Sequence, residues 1–324
     1  GTSDAGALRA ANGHAAPYKV DYFGVGNESW GGGGNMTAAY YADEYRRYQT
    51  YLKNYNKAVD MKLVAVGAPD DRKEWTEQVL CEAYKEAPAD THGFMDGLAV
   101  HYYTVPGTWE KKGSATDFTE DEWYGTMRKT MEMDRIIRLH GKIMDKYDPE
   151  KKIAMVIDEW GTWLDPEPGT NPAFLYQQNT MRDALVAGIN LNLFNKNCDR
   201  VKMANIAQTI NVLQAVILTD GKEMLLTPTY HAFDLYKVHQ ENTLLESSVE
   251  QSVIGTETDH VVNLTESVSE DENGTIYITI TNQSLSEAYD IEAIFADYPV
   301  GEVHGRILTG EMNAHNTFSN KDHV

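Results

Sequence analysis

The chain has 324 residues, with 28 lysines and arginines against 49 aspartates and glutamates, a formal charge of −21. A surface this acidic repels nucleic acid and anionic membranes, so neither is an expected partner, whereas neutral ligands such as sugars are compatible with it. The hydrophobic fraction of 42% is enough for an ordinary packed core, and the length suits one large domain or one with a smaller companion.

From Val20 to about Gln240, short apolar runs alternate with long amphipathic ones. Tyr22-Phe23-Gly24-Val25-Gly26 reads as a strand ending in Asn27-Glu28. Thr37 to Asn56 follows with helical spacing, since Tyr41, Tyr45, Tyr48 and Leu52 recur every three or four residues. Leu63 to Gly67 is a second strand, Trp75 to Ala87 a helix, and Gly97 to His101 a third strand. A loop runs from Tyr102 to about Trp123. Tyr124 to Tyr147 is a helix with Met127, Met131, Ile136, Ile137 and Ile143 for its inner face. Ile153 to Ile157 is a fourth strand, running into Asp158-Glu159-Trp160. Phe174 to about Phe194 is helical, Met203 to Gln208 is a fifth strand, and Thr227 to Lys237 is a closing helix with Pro228 in its first turn.

Apolar strands alternating with helices imply a parallel sheet covered by helices, either doubly wound or a (β/α)8 barrel. No GxGxxG or Walker loop opens any helix, which disfavours a nucleotide-binding sheet. Polar residues gather at the ends of strands, at Asn27-Glu28, His101, Asp158-Glu159 and Gln208, where a barrel carries its active site. Five strands make a partial (β/α)8 barrel over residues 1–240. From 241 to 324 the pattern changes to period two. Thr275 to Thr281, Ile291 to Phe295 and Val303 to Leu308 read as strands, and Asn273-Gly274 as a hairpin turn, giving a partial β-sandwich. Cys81 and Cys198 are expected to be small buried or half-buried thiols, since no CxxC or metal-ligand spacing accompanies them. No apolar run approaches the ~18 residues of a membrane span, and no signal peptide is visible.

Hydrolysis of a glycosidic bond needs two carboxyl groups, one to protonate the leaving oxygen and one to attack the anomeric carbon, ~5–5.5 Å apart when configuration is retained. Glu28 and Glu159 each end a buried strand, and in a barrel both would face the same mouth. An isolated glutamate at a strand end more often caps or solvates the rim, so the flanking residues decide the matter.

Tyr22-Phe23-Gly24-Val25-Gly26-Asn27-Glu28 resembles the acid/base strand of the clan A glycoside hydrolases. Ile157-Asp158-Glu159-Trp160-Gly161-Thr162-Trp163 resembles their nucleophile strand. The closer resemblance is to glycoside hydrolase family 51, the α-L-arabinofuranosidases. It is carried also by Leu8 to His14, Arg200 to Gln208, Thr227-Pro228-Thr229-Tyr230 and Asn313 to Phe318. The resemblance implies Glu28 as general acid/base and Glu159 as nucleophile. It implies sugar contacts from Asn27, Tyr103, Trp163 and Gln208, with His101 and Tyr103 supporting the nucleophile. Asp158 and Trp160 read as support and packing. No metal or organic cofactor is required. The substrate would be an arabinose-containing oligosaccharide or polysaccharide, the full-length parent a homo-oligomer, and the location cytoplasmic. The family's first three barrel strands have no counterpart here, so the chain is expected to show little or no activity alone.

Other features are discounted. Gly31 to Gly34 lacks the Lys-Ser/Thr of a phosphate loop and reads as a flexible loop. Asn27-Glu28-Ser29 is a formal glycosylation acceptor in which a glycan would block the proposed acid. Tyr40, Tyr41, Tyr45 and Tyr48 read as helix packing. The alternatives are another clan A glycosidase, such as an endoglucanase or xylosidase, and an inactive carbohydrate-binding or assembly subunit.

Overall fold

A computed structural model describes residues 3–84, 94–296 and 300–324. The chain carries an α/β fold with a five-stranded parallel sheet in the order β1-β2-β3-β4-β5. These strands are β1 (Tyr22–Val25), β2 (Lys62–Ala65), β3 (Gly97–Thr104), β4 (Ala154–Thr162) and β5 (Val201–Ile206). The helices are α1 (Asp4–Ala11), α2 (Ala38–Tyr51), α3 (Lys73–Tyr84), α4 (Glu120–Tyr147), α5 (Met181–Lys196) and α6 (Pro228–Tyr236). Two compact units divide the chain. One is Gly1–Ala68, Arg72–Ala99 and Ile143–Ala154; the other is Pro69–Asp71, Val100–Lys142 and Met155–Val324.

In the first unit, β1 pairs with β2 from Tyr22↔Lys62 to Val25↔Ala65, and β2 with the start of β3 at Val64↔Gly97 and Ala65↔Leu98. The Asp96 carboxylate extends that ladder by accepting from the Leu63 amide at 2.8 Å. Helix α2 buries Tyr41 and Tyr45. The Tyr41 hydroxyl bridges β1 and β2, donating to the Val25 carbonyl and accepting from the Val66 amide, each at 2.7 Å. Burial raises the phenol's pKa. Of the tyrosines read as packing, Tyr40 and Tyr48 are instead exposed. Helix α2 stops earlier than its spacing suggests, because Asn54 and Asn56 turn the backbone with their side chains: Asn54 Oδ1 accepts from the Asn56 amide and Asn56 Oδ1 from the Ala58 amide. Helix α3 opens at Lys73, and residues 85–87 of the expected helix lie outside the described residues.

In the second unit, the inner face of α4 includes Trp123, Tyr124, Met127, Met133, Ile136 and Ile137. Helix α5 starts at Met181 rather than Phe174, because Thr180 and Asp183 form a capping box there. Residues Pro172–Phe174 form only a short 3-10 turn. Most of α5 is buried around its whole circumference, as befits an internal helix. The strand expected to reach Gln208 ends at Ile206.

The later residues contain short antiparallel strands: β6 (Ile217–Asp220) with β7 (Glu223–Leu226), β9 (Val253–Gly255) with β10 (His260–Val262), and a sheet β12-β11-β8 of Ile276–Asn282, Leu264–Glu270 and Thr243–Leu245. The β11–β12 connection holds Asn273-Gly274, with Gly274 at φ 82° and the Asp271 side chain accepting from the Asn273 amide at 2.9 Å. This sheet meets α5 through a polar seam, where Asn192 bonds Thr265, Ser267 and Thr279 at 2.9–3.0 Å. Ile291 to Phe295 and Val303 to Leu308 are not strands. Among the described residues no strand pairs with either segment, and Ile294, Val303 and Ile307 are exposed. Cys81 is exposed, against expectation, and Cys198 half-buried; both are free thiols. Among the described residues, no helix is long and apolar enough to cross a membrane.

Candidate active site

In the first unit, the chain turns sharply after β1. Gly26 has φ 101°, which favours glycine, and a Cβ there would lie tightly at 3.0 Å from Ser29 Oγ and 3.1 Å from Val66 Cγ2. Glu28 itself sits in the left-handed region at φ 44°, a conformation that costs roughly 1–2 kcal/mol outside glycine and often marks a functional position. Its carbonyl accepts from the amides of Gly31 at 2.8 Å and Gly33 at 3.1 Å. A Cβ on Gly33 would stand 1.6 Å from the Asn27 carbonyl oxygen. The glycine run is therefore a folded turn packed on the Asn27–Glu28 backbone, not the flexible loop its composition suggests. Trp30 anchors the same turn through its indole N–H on the Gly67 carbonyl at 3.2 Å, with the Arg72 guanidinium 4.7 Å from its ring. Asn27 is exposed and Glu28 half-buried.

The second unit brings four expected residues together. His101 and Tyr103 are buried on β3, and Glu159 is half-buried on β4. The Tyr103 hydroxyl donates to Glu159 Oε2 at 2.9 Å. His101 Nδ1 lies 3.6 Å from the same oxygen, and His101 Nε2 lies 3.1 Å from Asp158 Oδ1, close but off the hydrogen-bond direction. Consecutive strand residues normally point to opposite faces. Here the pairing of β4 with β5 is irregular between Ile157 and Trp160, and that irregularity aims both carboxylates at one imidazole. Trp160 is fully buried against Phe194 and Phe233, a packing residue as expected. Trp163 is half-buried, its ring centroid 5.0 Å from that of Tyr103 at 72°. Gln208 is exposed beyond β5. It follows Ala207, which shares an apolar cluster with Tyr103 and Leu213 and with Trp163 packed against it.

Side chains the sequence reading passed over hold this constellation. Gln214 is buried: its Oε1 accepts from the Thr162 amide at 2.7 Å, while its Nε2 donates to the Asp183 carbonyl at 2.7 Å and Thr229 Oγ1 at 3.1 Å. Gln177 Oε1 accepts from the Leu164 amide at 2.8 Å. Asp183 accepts from the Thr162 hydroxyl and the Thr180 amide. Burial pushes its carboxyl above the usual carboxylate range, against the pull of Arg182 and these donors. The capping-box spacing of Thr180 and Asp183 is the one sequence signal that points to this network.

The loop after β3 is also fixed. Lys129 on α4 donates to the carbonyls of Val105 at 2.9 Å, Pro106 at 2.5 Å and Gly107 at 2.9 Å, and burial lowers its ammonium pKa. Asp165 accepts from the amides of Lys112 at 3.2 Å and Gly113 at 3.1 Å.

Comparison with known proteins follows the same lines. Residues 158–324 match the model of the α-L-arabinofuranosidase C-terminal domain, and residues 1–121 that of the α-L-arabinofuranosidase 1 domain. An intracellular exo-α-L-arabinofuranosidase of Bacteroides ovatus is 46% identical over 322 residues, covering 98% of this chain and 60% of that protein. The crystal structure of the GH51 arabinofuranosidase from Xanthomonas axonopodis pv. citri is 43% identical with a TM-score of 0.84, covering 99% of this chain and 64% of that one. The Thermotoga maritima α-L-arabinofuranosidase, at 24% identity and a TM-score of 0.71, shares the fold. The chain thus spans 60–64% of the length of the first two relatives. With one family model matching more than half of its residues, the chain belongs to the glycoside hydrolase family 51 α-L-arabinofuranosidases.

Proposed function

We propose that this chain supplies the catalytic glutamates of a retaining α-L-arabinofuranosidase that removes terminal arabinofuranosyl groups from arabinan, arabinoxylan or their oligosaccharides. Glu159 attacks the anomeric carbon as the glycosidic C–O bond breaks, and Glu28 gives its proton to the departing oxygen. Glu28, now a carboxylate, takes a proton from water. The water oxygen bonds the anomeric carbon, the Glu159 ester bond breaks, and arabinose leaves with its configuration retained. The observation that carries this reading is Glu159 held by Tyr103 and flanked by His101 in a chain of this family.

The remaining assignments follow from it. Asn27 and Gln208 hydrogen-bond the sugar, Trp163 walls it, and His101 and Tyr103 orient the nucleophile. Residues 1–240 form part of a (β/α)8 barrel and residues 241–324 part of a β-sandwich. The parent enzyme acts in the cytoplasm as a homo-oligomer. The naming of the Bacteroides relative as intracellular supports the location.

The test is hydrolysis of an aryl α-L-arabinofuranoside by protein containing this chain. Glu159→Gln is expected to abolish turnover. Glu28→Gln is expected to lower it by about 10²–10⁴-fold, the usual worth of a general acid. A Glu159→Gln protein that turns over at the wild-type rate removes the nucleophile assignment. Parallel assays on aryl xyloside and cellulose separate arabinofuranosidase from other glycosidase activity.

A further inference from the structure

We infer that Trp109 is a second sugar platform, holding the sugar to which the departing arabinofuranosyl group is attached. The inference rests on the reading of Glu159 as nucleophile and extends it outward.

Three aromatic rings run in file from that carboxylate. Tyr103 bonds Glu159, Trp163 meets Tyr103 edge-on at 5.0 Å, and Trp109 meets Trp163 edge-on at 5.4 Å and 83°. Trp109 is the outermost and is 51% exposed. An indole recruited for packing would be buried. Trp163 meets Trp109 edge-on and does not stack flat on it, so about half of the indole surface stays open to the apolar C–H face of a sugar ring.

The loop carrying Trp109 is built to hold it there. Lys129 ties down the carbonyls of residues 105–107. Inside the loop, the Gly107 amide donates to the Lys112 carbonyl at 3.0 Å and the Thr108 amide to the Lys111 carbonyl at 2.9 Å. Asp165 closes its far end, accepting from Lys112 and Gly113 and returning its own amide to the Gly113 carbonyl at 3.0 Å. A ring fixed in advance in an exposed position binds without a further ordering cost. The Lys112 ammonium adds polar specificity. It donates to the Trp109 carbonyl at 2.7 Å and stands 6.0 Å from the Trp109 centroid and 5.9 Å from that of Trp163, with further N–H donors for sugar hydroxyls. An aromatic platform with a few placed donors is the usual composition of a neutral-ligand site.

The experiment is calorimetric titration of the 324-residue chain, wild type, Trp109→Ala and Trp109→Phe, with L-arabinose and with linear α-1,5-arabinotriose. Trp109→Ala is expected to bind the trisaccharide about tenfold more weakly and arabinose unchanged, and Trp109→Phe to keep most of the affinity. Wild-type binding of both sugars with Trp109→Ala unaltered on each overturns the platform alone. An equal loss on both sugars also overturns it, since Trp109 would then shape the first sugar position. A wild-type chain that binds neither sugar overturns the underlying site reading and the platform with it.

Discussion

The Tyr103 hydroxyl and Glu159 Oε2 are joined by a 2.9 Å hydrogen bond between neighbouring strands, and His101 Nδ1 approaches the same oxygen. On the proposed role of Glu159 as nucleophile, a donor aimed at its carboxylate fixes which lone pair stays free to attack. Tyr103→Phe removes the donor and keeps the ring on Trp163. With a hydrogen bond to a charged group worth about 1.5–3 kcal/mol, kcat/KM should fall roughly 10- to 150-fold. Steady-state hydrolysis of an aryl arabinofuranoside, alongside an unchanged melting temperature, checks this.

The glycine turn gives a paired prediction. Gly33→Ala drives a Cβ into the Asn27 carbonyl, whereas a Cβ on Gly32 meets nothing within 4 Å. Gly33→Ala should destabilise the protein by about 1–3 kcal/mol and displace Glu28. Gly32→Ala should stay within about 0.5 kcal/mol of wild type. Urea unfolding of the two variants, side by side, decides it.

Gln214 makes three hydrogen bonds in a fully buried position. Gln214→Leu strands the Thr162 amide and leaves the Asp183 carbonyl and Thr229 short of a partner, at about 1–3 kcal/mol for each buried group left unsatisfied. A drop of several degrees in melting temperature is expected, and no change would show that the network is not under load.

His140 is buried, with Nε2 2.8 Å from the Asp70 carbonyl, and burial lowers its pKa below 6.5. The folded state therefore resists protonation more than the unfolded chain does. The stability tied to neutral His140 is complete above the unfolded value near 6.5 and is lost as pH falls toward the lower folded value. His140→Gln should flatten the decline in melting temperature between pH 7.5 and 5. A decline as steep as that of wild type would rule out His140 as its source. The effect reaches the site, because the Asp70 amide donates to the His101 carbonyl at 2.8 Å.

Much of this was legible in the residues. Continuous apolar runs announced β2, β3 and β4, since such segments have few other uses at that length, while β1 (Tyr22–Val25) and β5 (Val201–Ile206) were read from shorter mixed runs. The motifs around Glu28 and Glu159 carried the resemblance to the family. Helix ends were less legible where side chains overrule periodicity. Asn54 and Asn56 cut α2 short, and Thr180 delays α5 although Phe174, Leu175 and Tyr176 are apolar. Ile291 to Phe295 has the apolar content of a strand, but composition alone does not provide a partner to pair with. Lys129, Asp165 and Gln214 act through loop carbonyls, loop amides and a buried strand edge. Their roles depend on contacts between residues far apart in sequence, which no local pattern records.

The irregular pairing of β4 makes its length as consequential as its composition. In a regular strand, Asp158 and Glu159 would look to opposite faces, and only one could reach His101. Asp158 and Glu159 are the only residues between Ile157 and Trp160, so shortening the strand there by one residue removes an acid, and adding one there turns one acid away from the imidazole. Substitution of nearby apolar residues should thus be tolerated far better than any change in their number, and in this strand counting matters more than chemistry.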